Sequence, residues 1–283
     1  MPKATKLIKQ TYIDPFTDFG FKKLFGEEES KEYLIDFLNS VFGDFIPYIQ
    51  ELNYHKNEHL GNKKIDRNVI FDLYCKDPQG NGFIIELQKA RQDYFKQRTL
   101  FYSTFAITEQ AKKGKDWDFS LNPVYCISIL NFSLDNENHK YITKAKILDI
   151  ETHKTVMQEL NFAFIECPKF NKDIHKNSCM QDKWLYALTH LTKLDNKPKE
   201  LQEKLFEEFF QRANVLKLNS NELSEYNASV SYYRDIHNIE NQNLAKGKKQ
   251  KQLEIAKNMK DKGLDFELII EMTGLTLQEI EKL

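Results

Sequence analysis

The residues best suited to chemistry are two acids set in apolar surroundings. Asp72 stands inside the run VIFDLYC and Glu86 inside the run FIIELQ, with the turn DPQGN at 77–81 between them. Both runs have the β-branched and aromatic content of strands. Side chains alternate between the faces of a strand. Ile70, Asp72 and Tyr74 therefore share one face of the first, and Ile84, Glu86 and Gln88 share one face of the second. Pro78 presets φ, and Gly80 can take the left-handed position of a three-residue hairpin loop. If Asp77 pairs with Asn81, Asp72 faces Glu86. A longer loop over 77–82 would slip the pair by a residue or two and leave the acids as diagonal neighbours. Directly opposed side chains have Cβ atoms about 4.5–5.5 Å apart. Two carboxylates that close repel, and one must take up a proton. A divalent cation between them removes both problems. Mg²⁺ suits such a pair because it needs one or two carboxylates and takes its other oxygens from water and phosphate. The competing reading is a solvated face of an edge hairpin. Against it stand the apolar flanks of both runs and a third polar group, Gln88, on the same face.

The elements around this hairpin follow from periodicity. Ser30 precedes Tyr33, Leu34, Phe37, Leu38 and Val41, the spacing of an amphipathic helix ended near Gly43. Residues 46–54 read as a strand, 55–67 as a polar hairpin or loop, 69–75 and 83–88 as the two acid-bearing strands, and 91–113 as a long helix. The run PVYCISILNF at 123–132 reads as a strand buried on both faces. Strand patterns continue over 141–150 and 156–165. From about residue 180 the pattern is helical, with candidates at 184–194, 201–218 and 224–235. The Lys-rich stretch AKGKKQKQ at 245–252 is a linker or a solvated helix. The expected organisation is an α/β domain over 1–170, a helical extension over 171–245 and a small helical tail over 246–283.

Bulk properties narrow the class. With 283 residues, 41% hydrophobic and 29% charged, the chain can bury a sizeable core. A net charge of −1 gives no global attraction to nucleic acid, so an anionic partner must be met by a local basic patch. Such a patch follows the second strand. Lys89 comes directly after it, and Arg91, Lys96, Arg98, Lys112 and Lys113 outnumber Asp93 and Glu109 along the next helix. Arg98 and Tyr102 are four apart and share a helical face. The four cysteines form no C-x-x-C pair, which argues against structural zinc or a disulfide framework and for a reduced cytoplasmic compartment. No stretch approaches the roughly 20 apolar residues of a membrane helix, and the opening MPKATKLIKQ has no apolar core of the length a signal peptide is expected to have. His55 and His59 lie in a polar loop without acidic partners and read as surface residues. No P-loop, GxGxxG or GxSxG motif occurs.

Asp72 followed by Glu86-Leu87-Gln88 resembles the D…(D/E)-x-K signature of the PD-(D/E)XK nuclease superfamily, with Gln88 in the lysine position. The blocks DPFTDFGFKKLFG, ELQKARQDYFKQRTLFY and GLDFELIIEMTGLTLQEIEKL, in that order, resemble the Rpn-type recombination-promoting nucleases and the transposases grouped with them. The resemblance implies a restriction-endonuclease-like α/β fold, a mixed sheet flanked by helices, followed by an α-helical C-terminal region. It implies that Asp72 and Glu86 ligate a metal, Mg²⁺ or Mn²⁺ in its place, with the Leu87 carbonyl and Asp18 as further contacts. Asp18 reads equally well as a helix N-cap or loop residue. Gln88 carries no positive charge and cannot act as a base, but its amide can orient a water. Arg98, Tyr102 and Lys89 are the candidate substrate contacts. The implied function is metal-dependent hydrolysis of DNA phosphodiesters in recombination, mobile-element biology or defence. A nuclease fold with decayed chemistry, kept as a DNA- or protein-binding module, is the alternative. Strand transfer ranks below both.

The tail reads as three short helices, the last opened by the capping box Thr276-Leu277-Gln278-Glu279. The arrangement resembles a helix-turn-helix, but residues 254–283 carry seven acids and four lysines. A phosphate-binding module should show the reverse. Charge therefore assigns the tail to packing or to homo-oligomer formation.

Overall fold

A computed structural model describes residues 10–55, 58–59, 69–111, 118–135 and 137–283. Helix α1 (Asp18–Phe25) begins where the Thr17 hydroxyl accepts the Gly20 N–H at 3.0 Å, an N-cap that satisfies an otherwise orphaned donor. Helix α2 (Lys31–Phe42) buries Tyr33, Leu34, Phe37, Leu38 and Val41, the stripe its sequence spacing predicts. Then come β1 (Asn53–Tyr54), β2 (Glu58–His59), β3 (Val69–Ile70), β4 (Leu73–Lys76), β5 (Gly82–Gln88), α3 (Phe95–Thr108), β6 (Val124–Leu130), β7 (Ile142–Leu148) and β8 (Thr155–Glu166). Five helices complete the chain: α4 (Met180–His190), α5 (Lys204–Ala213), α6 (Ser220–Asp261), α7 (Phe266–Thr273) and α8 (Leu277–Glu281).

Six strands form one mixed sheet in the order β1-β4-β5-β6-β8-β7, and β2 pairs with β3 apart from it. β5, β6 and β8 run parallel, and the outer pairs are antiparallel. β6 lies between two parallel neighbours and is buried at every position, which accounts for its continuous apolar run. Helix α3 covers one face of the sheet. There Tyr74, Ile84, Val124 and Cys126 pack with Ala106, and Tyr102 and Phe105 close the edge. On the other face Phe83 stacks on Tyr125, with ring centroids 5.3 Å apart, and Phe45 meets Tyr125 edge-on. An aromatic cluster joins α1, α2, α4 and α5 through Phe25, Phe37, Trp184, Phe206 and Phe209. The buried Trp184 indole donates to Asp36 at 2.6 Å, so its polar edge is not stranded.

By compactness the chain divides into Met1–Asn227 and Ala228–Leu283. The second unit has its own core of Ala256, Ile269, Leu275 and Ile280. In it α8 opens with the expected capping box between Thr276 and Glu279.

Four elements differ from expectation. The strand expected over 69–75 is interrupted at Phe71 and Asp72, and Phe71 joins Tyr74 in the α3-side cluster. The strand expected over 46–54 forms only at its end. The helix expected from residue 91 starts at Phe95, after Tyr94 takes a positive φ of 61°. The first tail helix is not separate but continues α6, which also contains the Lys-rich stretch as a solvated helix, one of its two expected forms. All four cysteines are free thiols. Among the described residues no helix is long and apolar enough to cross a membrane.

Candidate active site

The hairpin forms in the register that its turn chemistry predicts. Leu73 pairs with Ile85, Tyr74 with Ile84, Cys75 with Phe83 and Lys76 with Gly82. Gly80 takes φ +90°, and the Asp77 N–H donates to the Asn81 carbonyl at 3.1 Å. Hydrogen-bonded pairs alternate along an antiparallel ladder. Continued past Leu73, the same register would make Asp72 and Glu86 a non-hydrogen-bonded pair, the kind with the closer side chains. It would direct the Leu87 N–H to the Phe71 carbonyl.

The ladder stops there because side chains replace the backbone. The Leu87 N–H donates to Asp72 Oδ2 at 2.6 Å, and the Asp72 N–H lies 3.4 Å from Glu86 Oε1. Each acid thus holds the other's strand. The Asn131 N–H donates to the Gln88 carbonyl on the β6 side. By alternation the Leu87 carbonyl points the other way, toward the edge that carries Asp72.

Glu86 is only 7% exposed and Asp72 is half-buried. Burial raises the pKa of both above the carboxylate range. The Asp72 charge pushes Glu86 further up, and the Arg98 guanidinium opposes the rise at both. Asp18 raises Asp72 as well. Asp18 is the first residue of α1, is exposed, and pairs with Lys22 at 2.9 Å. It does not close a three-acid cage: among the described residues no three His, Cys, Asp or Glu side chains group to hold a metal ion.

Gln88 sits on the Glu86 face, and protein groups take both ends of its amide. Its Nε2 donates to the Ala90 carbonyl at 3.1 Å, and its Oε1 accepts from Arg98 Nη2 at 2.6 Å. Arginine only donates and a carbonyl only accepts, so these partners fix which way the amide faces. Gln88 therefore holds Arg98 in place. The guanidinium also bonds Gln92 and lies over the Phe95 and Tyr102 rings, 5.2 and 5.6 Å from their centroids. Arg98 and Tyr102 do come to the acids' face.

Lys89 points elsewhere. It meets Asp14 Oδ2 at 2.6 Å, and Asp14 also accepts the Phe16 N–H while its own N–H meets the Tyr226 hydroxyl. Asp14, which sequence reasoning missed, thereby ties the opening segment to the end of β5. Its only signal was a D-P pair ahead of a helix cap. Lys112 and Lys113 lie outside the described residues.

A mixed six-stranded sheet flanked by helices, with a helical C-terminal region, is consistent with the PD-(D/E)XK nuclease fold. A family model described as PD-(D/E)XK nuclease family transposase matches residues 15–243, and the chain belongs to that family. A second, described as the C-terminal HTH domain of the Rpn/YhgA-like nuclease family, matches residues 249–283. No curated protein and no solved structure matches the chain.

Proposed function

We propose that the protein is a divalent-cation-dependent DNA endonuclease whose site is Asp72, Glu86 and Arg98. The observation that carries this reading is the interlaced acid pair, Glu86 buried and Asp72 half-buried, each member raised in pKa. Such a pair is costly without a counter-charge. Two hard oxygen donors of this kind fit Mg²⁺ or Mn²⁺, and the Leu87 carbonyl, directed to the same edge, is a third donor. A cation held there would polarise a phosphodiester and acidify water. Asp72 and Glu86 would hold it. Arg98 presents a planar, permanently charged fork to phosphate oxygens. Gln88 keeps that fork in place, and the Tyr102 ring supports it from below. In this scheme Arg98 supplies the positive charge that glutamine at position 88 cannot. The family descriptions, a transposase nuclease and a helix-turn-helix, support DNA as the polymer, with a role in recombination, mobile elements or defence.

The test is plasmid nicking by the full-length protein with Mg²⁺, with Mn²⁺ and with EDTA. Cleavage should require the metal, and Asp72→Ala and Glu86→Ala should each abolish it. Parental cleavage by Asp72→Ala would remove that residue from the site. One observation favours a second reading: Gln88 carries no charge and its amide is tied to Ala90 and Arg98, as a DNA-binding module without chemistry would allow. DNA binding with no cleavage by any form under any metal selects that module.

A further inference from the structure

The central strand hides a polar group that the site has not yet used. β6 is buried throughout, and within its sequence VYCISIL the one aliphatic hydroxyl belongs to Ser128. Ser128 is 0% exposed, and its Oγ makes no hydrogen bond among the described residues. In a helix a serine satisfies itself on the carbonyl one turn back. A central parallel strand offers no spare carbonyl, since its backbone groups serve the ladders on both sides. Burying a hydroxyl without a partner is penalised. Alanine, or a cysteine like that at 126, would fill the position without this cost.

The register identifies what the hydroxyl stands beside. Ser128 is the Cα partner of Glu86 on β5 and of Phe164 on β8, and partners in register project from the same face. Phe164 offers only a ring, packed with Phe95 and Leu130. Glu86 offers a carboxylate, whose one direct backbone donor among the described residues, the Asp72 N–H, is at the long distance of 3.4 Å.

We propose that Ser128 is a positioning residue for Glu86, donating its hydroxyl to the carboxylate when Glu86 holds a divalent cation and so fixing which oxygen faces the ion. The inference rests on the metal-site reading above. Ligating carboxylates are themselves held by outer hydrogen bonds, and losing one typically weakens metal affinity by about 10- to 100-fold. A hydroxyl suits the task because it rotates freely and can donate or accept.

The experiment measures Mn²⁺ binding to the full-length protein from the electron paramagnetic resonance signal of the free ion. It compares the parent with Ser128→Ala, Ser128→Thr, Ser128→Cys and Asp72→Ala. Ser128→Ala should melt, without metal, at or above the parental temperature, yet bind Mn²⁺ about tenfold more weakly. Ser128→Thr keeps the hydroxyl and should bind as the parent does. Ser128→Cys, similar in shape but a weak donor, should match the alanine variant and gives the same reading if alanine impairs folding. Parental affinity in both the alanine and cysteine variants, with binding lost in Asp72→Ala, overturns the role of Ser128 and leaves the metal site intact. Parental affinity in Asp72→Ala overturns the site and this proposal together.

Discussion

At the residue scale the site turns on the charge of its two acids. Burial and mutual repulsion raise Glu86, and burial raises Asp72, so the folded state binds protons more tightly than the unfolded chain. The sign follows from linkage: stability falls as pH climbs from the ordinary carboxylate range through the raised values. In EDTA, the melting temperature should drop across that window. Glu86→Gln keeps the shape without the charge and should flatten the drop, melting about 2–4 °C above the parent at pH 8. A parental pH profile in that variant would contradict the assignment. Added Mg²⁺ should offset the drop in the parent and not in Glu86→Gln. A second expectation concerns Arg98. Its truncation to alanine should slow plasmid nicking about 100-fold or more. Lysine should restore little, because a point charge cannot fork onto both Gln88 and a phosphate. Nicking by Arg98→Lys at the parental rate would show that charge alone suffices.

At the element scale the opening segment is a clamp. Asp14, Thr17 and Gly20 close on one another, with the Thr17 hydroxyl donating to the Asp14 carbonyl at 2.7 Å. A Cβ on Gly20 would lie 2.0 Å from that carbonyl oxygen. Gly20→Ala should therefore cost roughly 3 kcal/mol in denaturant unfolding, and a cost below about 1 kcal/mol would mean that the segment yields. What sequence reveals here depends on distance along the chain. The hairpin register was legible because Asp77, Pro78 and Gly80 decide it locally. The stripe of α2 and the fully buried β6 were legible from periodicity and apolar content. The break at Phe71 and Asp72 was not, because the competing acceptor for the Leu87 N–H is a side chain fifteen residues away. The Arg98–Gln88 contact spans ten residues across a strand-to-helix turn, and spacing alone gave only the face that Arg98 shares with Tyr102. Ser128 was hidden by its surroundings, although a lone hydroxyl in an otherwise apolar central strand is itself a signal.

At the scale of the whole molecule the two units differ in chemistry. The acids and the guanidinium belong to Met1–Asn227, whereas Ala228–Leu283 is a small helical unit around Ala256, Ile269, Leu275 and Ile280. Its last two helices carry Glu267, Glu271, Glu279 and Glu281, with Asp265 at the N-cap of α7, and Glu279 is already paired with Lys249. We expect a chain ended after Gln252, which lacks that core, to change its sedimentation more than its affinity for duplex DNA. The opposite result, unchanged sedimentation and collapsed affinity, would make the helix-turn-helix the principal DNA contact in spite of its charge. A salt titration of both forms adds a check, since contacts to phosphate weaken steeply with ionic strength.

The bond from the Leu87 amide to Asp72 makes that one proton a built-in gauge of the site. Its nuclear magnetic resonance frequency should track the charge on the aspartate as acid or cation is added. Ionisation and metal loading could then be read from a backbone signal in the resting protein, before any nucleic acid is present.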